Sequence, residues 1–167
     1  VEVDVTKTER ALGEDYILEV EHLTRRGKFE DVSFKLRRGE ILGFSGLMGA
    51  GRTEVARALF GADLPDSGTV RINGKPVRIR NTTAAVRHGI GYLSEDRKAL
   101  GILGALPVTD NIVDAGKSII MISSEMAEIL KLSDRIAVMS EGRLTGVIDG
   151  RDATQESVMK LATLRQS

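Results

Sequence analysis

The densest chemistry in this 167-residue chain lies in one short run, Gly46-Leu47-Met48-Gly49-Ala50-Gly51-Arg52-Thr53. It fits the phosphate-loop pattern G-x-x-x-x-G-[K/R]-[S/T]. Glycines let the backbone fold back so that several N–H groups face one phosphate. A helix opening directly afterwards adds its positive N-terminal end. Arg52 supplies a cation for the β- and γ-phosphates, and Thr53 supplies a hydroxyl for Mg²⁺. Lysine is the usual residue at position 52. Arginine keeps the charge but is larger, planar and forked, so it cannot occupy a compact lysine position unchanged. The spacing predicts a phosphate-binding site with Mg²⁺ on the Thr53 hydroxyl; the bland alternative is a structural glycine turn.

The remaining chemistry is sparse. Cysteine is absent, which excludes disulfides and cysteine–metal sites. His22 and His88 stand far apart, without metal-site spacing. Lys+Arg and Asp+Glu are both 24. A net charge of zero provides no strong field to recruit nucleic acid or an anionic membrane.

The elements that must hold the loop can be read from periodicity. Residues 17–21 and 32–36 alternate as strands do. Residues 41–45 form a short apolar strand that feeds the glycine loop, and a helix is expected from Arg52 with Val55, Ala58 and Leu59 on one face. Asn73-Gly74 joins a hairpin, Thr82 caps a short helix ending at His88-Gly89, and residues 90–93 form the next strand. Gly101, Gly104 and Pro107 mark a mobile stretch. Residues 118–123 read as a buried strand, 125–132 as a helix, and 135–140 with 143–148 as a second hairpin through Glu141-Gly142. Thr154 and Ser157 open a last helix. This alternation predicts an α/β fold with a parallel core sheet and an antiparallel β subdomain. Residues 1–15 look like a linker or arm, and the first 13 are too charged for a signal peptide. No apolar run approaches the roughly 20 residues a bilayer span needs. The expected location is therefore cytoplasmic, touching a membrane only through other chains.

With these residues in place, the chain resembles the ATPase subunits of bacterial ABC sugar importers. The resemblance is carried by GEILGFSGLMGAGRTEVARALFGADLPDSGTVRINGKPV, GIGYLSEDRKALG and SIIMISSEMAEILKLSDRIAVMSEGRLTG. Such subunits contain two ATPase halves, and a Gly-Arg-Thr loop is characteristic of the second, C-terminal half. The ending DATQESVMKLA looks most like the ribose importer. The resemblance implies a P-loop NTPase of ABC-ATPase type. It places Glu95 at the Q-loop, where glutamine usually senses Mg²⁺ and the transmembrane partner; a carboxylate there can ligate Mg²⁺, unless Glu95-Asp96-Arg97-Lys98 is only a solvated charged loop. It places Ser124 at the switch position usually held by histidine. A serine offers a hydrogen bond but no titratable cation, and it can instead cap the following helix. Many relatives stack an aromatic ring on adenine where this chain has Thr24-Arg25-Arg26-Gly27-Lys28; Phe29 reads as a core residue.

The resemblance also exposes a break. Family members continue after the equivalent of Asn111-Ile112 into a helical subdomain with a Leu-Ser-Gly-Gly signature, then a Walker B strand ending in Asp-Glu. Residues 16–167 contain neither motif, and the junction falls at 113–114. It is a true deletion, a stretch passed over in the sequence as written, or a seam between pieces of a longer polypeptide. Removal of the Walker B strand is expected to leave a gap between strands 90–93 and 118–123, with exposed edges. The implied function is a nucleotide-binding domain that energises import of ribose or a related monosaccharide. It would bind ATP or ADP but hydrolyse poorly, beside permease subunits and another ATPase half at the inner membrane. The alternative is a non-catalytic, regulatory nucleotide-binding partner. A GTPase is disfavoured because no Asn-Lys-x-Asp run is present. Residues 95–112, with apolar Leu100, Ile102, Leu103 and Leu106 among glycines, are expected to be a docking and signalling loop.

Overall fold

A computed structural model describes residues 14–95, 98–103 and 117–164. The junction at 113–114 and the arm up to residue 13 lie outside the described residues. In chain order the elements are β1 (Tyr16–Arg25), β2 (Phe29–Arg37), β3 (Ile41–Gly46), α1 (Arg52–Leu59), β4 (Ser67–Ile72), β5 (Lys75–Val77) and α2 (Thr82–Arg87). There follow β6 (Ile90–Glu95), β7 (Lys98–Leu103), β8 (Ser118–Ser123), α3 (Met126–Leu132), β9 (Arg135–Ser140), β10 (Arg143–Asp149) and α4 (Gln155–Ala162).

The strands form two sheets. One is antiparallel, in the order β2-β1-β4-β5. The other has the order β10-β9-β3-β8-β7-β6. Its centre is parallel, with β3 between β8 and β9. Every residue of β8 is buried, as a strand covered on both faces requires. One apolar core fills the space between the sheets and α1, built on Leu42, Phe44, Val55 and Leu59 from the loop-bearing unit. A second lies where α3 and α4 cover the far face, around Ile129, Ile136 and Val158.

Two polar anchors fix β3, and with it the loop that follows. Glu40 is 1% exposed. It accepts from Arg135 Nε at 2.6 Å, from Arg135 Nη2 at 2.9 Å and from the Arg37 N–H at 3.0 Å. A buried carboxylate is tolerated because all of these bonds satisfy it. The bond to Glu40 raises the pKa of Arg135 above its usual value. Asp134 Oδ2 accepts the Ile41 N–H at 2.8 Å.

Four expectations are corrected. The slot between β6 and β8 is not a gap: β7 fills it, antiparallel to both neighbours. Residues 98–103 are therefore a sheet strand rather than part of a mobile loop, and Ile102 is completely buried. Paired edges recover hydrogen bonds that a vacant slot would leave open, which is the physical reason for the insertion. Leu106 and the rest of that segment lie outside the described residues. The cap of α2 is Asn81, whose side chain accepts the Ala84 N–H at 2.8 Å, rather than Thr82. Ser124 does not cap α3; the preceding Ser123 hydroxyl accepts the Glu125 N–H at 3.1 Å.

Candidate functional site

The glycine loop leaves the C-terminal end of β3 and enters α1, the strand–loop–helix order that phosphate binding needs. Gly46 is required by close approach: a Cβ there would lie 2.6 Å from the Met139 carbonyl oxygen on β9. Gly51 is required by conformation, since it precedes α1 with φ 103°. Between them the Ala50 N–H closes a turn onto the Leu47 carbonyl at 3.0 Å. The Ala50 carbonyl accepts the Gly142 N–H at 2.9 Å, which ties the loop to the β9–β10 turn. The loop cannot swing independently of the sheet.

Around it lies a cavity of about 500 Å³. All eight sequence-predicted loop residues, Gly46 to Thr53, line it, and so does Ser124. Thr53 is exposed there and Arg52 is partly buried. Arg52 Nη1 donates to the Ser123 carbonyl at 3.0 Å, so the guanidinium bridges α1 to the end of β8. Burial lowers its pKa, and the neighbouring Glu54 charge opposes that shift. Arginine remains a cation under such a shift. Glu95 is the last residue of β6, and its side chain lies outside the described residues. Phe29 is 3% exposed and belongs to the core.

Sequence reasoning missed Gln155 and Met159, which line the same cavity from α4, and Met126 from α3. The capping box of Thr154 and Ser157 marked where α4 begins. Nothing local, however, says that α4 packs beside β3 and β9. Among the described residues the lining contains one carboxylate, Glu54, and no histidine.

Comparison with known proteins decides the family. The family model described as "ABC transporter" matches residues 29–152. The chain belongs to the ABC transporter family. A Burkholderia lata protein named for ATP binding in ribose, galactose and methyl galactoside import is 39% identical over 243 residues, covering 92% of this chain and 48% of its own length. A ribose import ATP-binding protein, RbsA, of Lacticaseibacillus paracasei is 35% identical, covering 87% of this chain and 47% of its own length. The chain thus spans about half the length of the curated relatives it matches. Among solved structures, cbiO1 of Clostridium perfringens, part of the ABC transporter complex cbiONQ, superposes with a TM-score of 0.63 at 14% identity. That match covers 87% of this chain and 93% of the other. At such identity it supports the fold, an ABC-type P-loop ATPase domain.

Proposed function

We propose that this chain is a nucleotide-binding domain serving import of ribose or a related monosaccharide, and that it holds ATP or ADP with Mg²⁺ on residues 46–53. The observation that carries this reading is the cavity in which the glycine loop, the Arg52 cation and the Thr53 hydroxyl meet at the start of α1. Mg²⁺ keeps few protein ligands when it travels with phosphates. Thr53 offers one hard oxygen in the cavity, and Glu95, at the end of β6, is the proposed second ligand. The names of the half-matching relatives support the sugar-import setting. Permease subunits and a second ATPase half are the proposed partners, at the cytoplasmic side of the inner membrane. Among the described residues no helix is long and apolar enough to cross a bilayer. A second reading, a regulatory domain that binds without turning over, is favoured by Ser124 at the cavity, a hydroxyl that offers a hydrogen bond but no titratable cation.

Calorimetry on the 167-residue chain with ATP and ADP tests the site. Arg52→Ala is expected to weaken binding by about 1.5–3 kcal/mol, the range for a charge-assisted bond. Arg52→Lys should keep most of the affinity, and Thr53→Ala should remove the benefit of added Mg²⁺. Unchanged affinity in Arg52→Ala would reduce the loop to a structural turn.

A further inference from the structure

A separate cavity, of about 640 Å³, shares no wall residue with the one around the phosphate loop. It lies where the β4–β5 hairpin splays. β5 pairs with β4 only from Val70 to Ile72, so the first half of β4 has β1 on one side and no β5 partner on the other. Two close approaches hold the cleft open. A Cβ on Gly68 would lie 2.6 Å from the Leu23 Cα, so β4 is pressed against β1. A Cβ on Gly61 would overlap the Asn81 carbonyl, so the chain leaving β5 is drawn to the end of α1 instead of along β4.

The cleft is apolar and its free charge is of one sign. Leu23, Ala58 and Ile79 are buried in its wall, and Leu64 stands 59% exposed at the rim. Arg78 and Arg80 are exposed on either side of Ile79. Among the described residues neither has an ion-pair partner. The one carboxylate of the described wall, Asp66, already accepts the Arg26 N–H at 2.7 Å. Residues 78–80 also make no backbone hydrogen bond among the described residues. Unpaired N–H and C=O groups at a sheet edge are a template for an added strand. Pro76 has no N–H and blunts β5 itself, which leaves residues 78–80 as the place for addition.

The fitting occupant is an extended segment that alternates apolar and acidic residues, and this chain contains one. Its first five residues are Val1-Glu2-Val3-Asp4-Val5. On a strand, Glu2 and Asp4 fall on one face and the valines on the other. That matches the exposed, buried, exposed order of Arg78, Ile79 and Arg80. The connection is long enough. The Asp15 carbonyl accepts the Arg38 N–H at 3.1 Å, and Arg38 Nη2 donates to Asn73 Oδ1 at 2.7 Å, so Asp15 sits beside the turn of the β4–β5 hairpin. Arg78 lies roughly 17 Å from that turn at the rise of a strand. Residues 6–13 reach up to about 28 Å when extended. A segment returning from the cleft to Asp15 runs against the direction of residues 75–80, so the pairing is antiparallel.

We propose that residues 1–5 of this chain occupy the cleft, adding an antiparallel strand along residues 78–80, with Glu2 and Asp4 against Arg78 and Arg80 and the valines toward the apolar wall. The arm before β1 is thereby fastened to the antiparallel sheet. The test is amide hydrogen exchange on the 167-residue chain, read against the β8 amides, which report the intact fold. The amides of residues 78–80 are expected to exchange at least about tenfold more slowly than in a Glu2→Lys, Asp4→Lys variant. Adding Arg78→Glu and Arg80→Glu to that variant should restore the protection, because the facing charges are opposite again. The protection should also survive about tenfold dilution, as a segment tethered in the same chain requires. Loss on dilution would place the arm of a second copy in the cleft and overturn the inference. Equal exchange in the unaltered chain and the lysine variant overturns it too, as does failure of the two glutamates to restore protection.

Discussion

At the scale of single residues, the arginine in the loop has two tasks where a lysine would have one. Its fork sends Nη1 to the Ser123 carbonyl and leaves the rest of a planar cation beside the cavity. The tether couples α1 to the end of β8, next to Ser124, so the proposed phosphate site and the position of Ser124 are linked through Arg52. A different residue pair sets a pH response far from that cavity. His22 Nδ1 and Asp31 Oδ1 stand 2.6 Å apart across β1 and β2. Both residues adopt left-handed backbone angles, φ 52° and 54°. The bond to Asp31, then its charge, raises the His22 pKa above the ordinary 6.5, and Glu21 adds a smaller push. A raised folded-state pKa means the contribution to stability is complete below 6.5 and is lost as pH rises through the higher folded value. His22→Gln should therefore lower the urea midpoint at about pH 5.5 and leave it nearly unchanged at about pH 8.5. Both side chains are exposed, so the difference is small. A pH-independent difference between wild type and variant would show that the pair does not contribute through its charge.

At the scale of elements, β7 is where local and non-local information part. A glycine in a strand usually marks a weakness, but Gly101 has a packing reason. A Cβ there would overlap the Phe60 ring, which stacks on Tyr92 with centroids 4.9 Å apart. Gly101→Ala is expected to destabilise the chain by about 1–3 kcal/mol, as overpacking does. Phe60→Leu in the same chain should recover part of that loss, a coupling readable in a double-mutant cycle. If residues 98–103 were a solvated loop, the same alanine would be neutral or slightly stabilising, so the sign of the change in urea midpoint decides. Elements with their own signals were legible in the sequence. The Asn73-Gly74 hairpin, the loop between β3 and α1, strand β8 and the Thr154–Ser157 box all stand where periodicity and caps put them. What was not legible depends on distant partners. The pairing of β7 is set by the space between β6 and β8, strands separated from each other in sequence. The placing of Gln155 and Met159 at the cavity follows from α4 docking on the sheet, which no local pattern encodes. The eight loop residues line one cavity, and they could be singled out together because they are contiguous in sequence.

At the scale of the whole molecule, the question is whether a bound nucleotide is turned over. Hydrolysis needs a base within hydrogen-bond reach of an attacking water, directly or through one further water. The described lining contains a single carboxylate, Glu54, in the first turn of α1 beside Arg52, whose charged form it favours. In relatives of this type the strand between β6 and β8 is expected to end in the carboxylates that hold Mg²⁺ and polarise water. Here β7 occupies that position running the opposite way, with Lys98 at the end beside Ser123 and Leu103 at the far end. The match to the Burkholderia lata protein runs over 243 residues, more than the 167 in this chain, so the relative has positions with no counterpart here. Among the described residues the proposed phosphate site is lined by no carboxylate but Glu54, which favours binding over chemistry. The expected result is nucleotide binding by calorimetry together with phosphate release slower than about 10⁻² s⁻¹, against the roughly 1–10³ s⁻¹ usual for enzymes. Intact mass on the same sample establishes that the protein assayed has the 167-residue sequence. Turnover above about 1 s⁻¹ that disappears in Thr53→Ala would mean that this chain still assembles a working base.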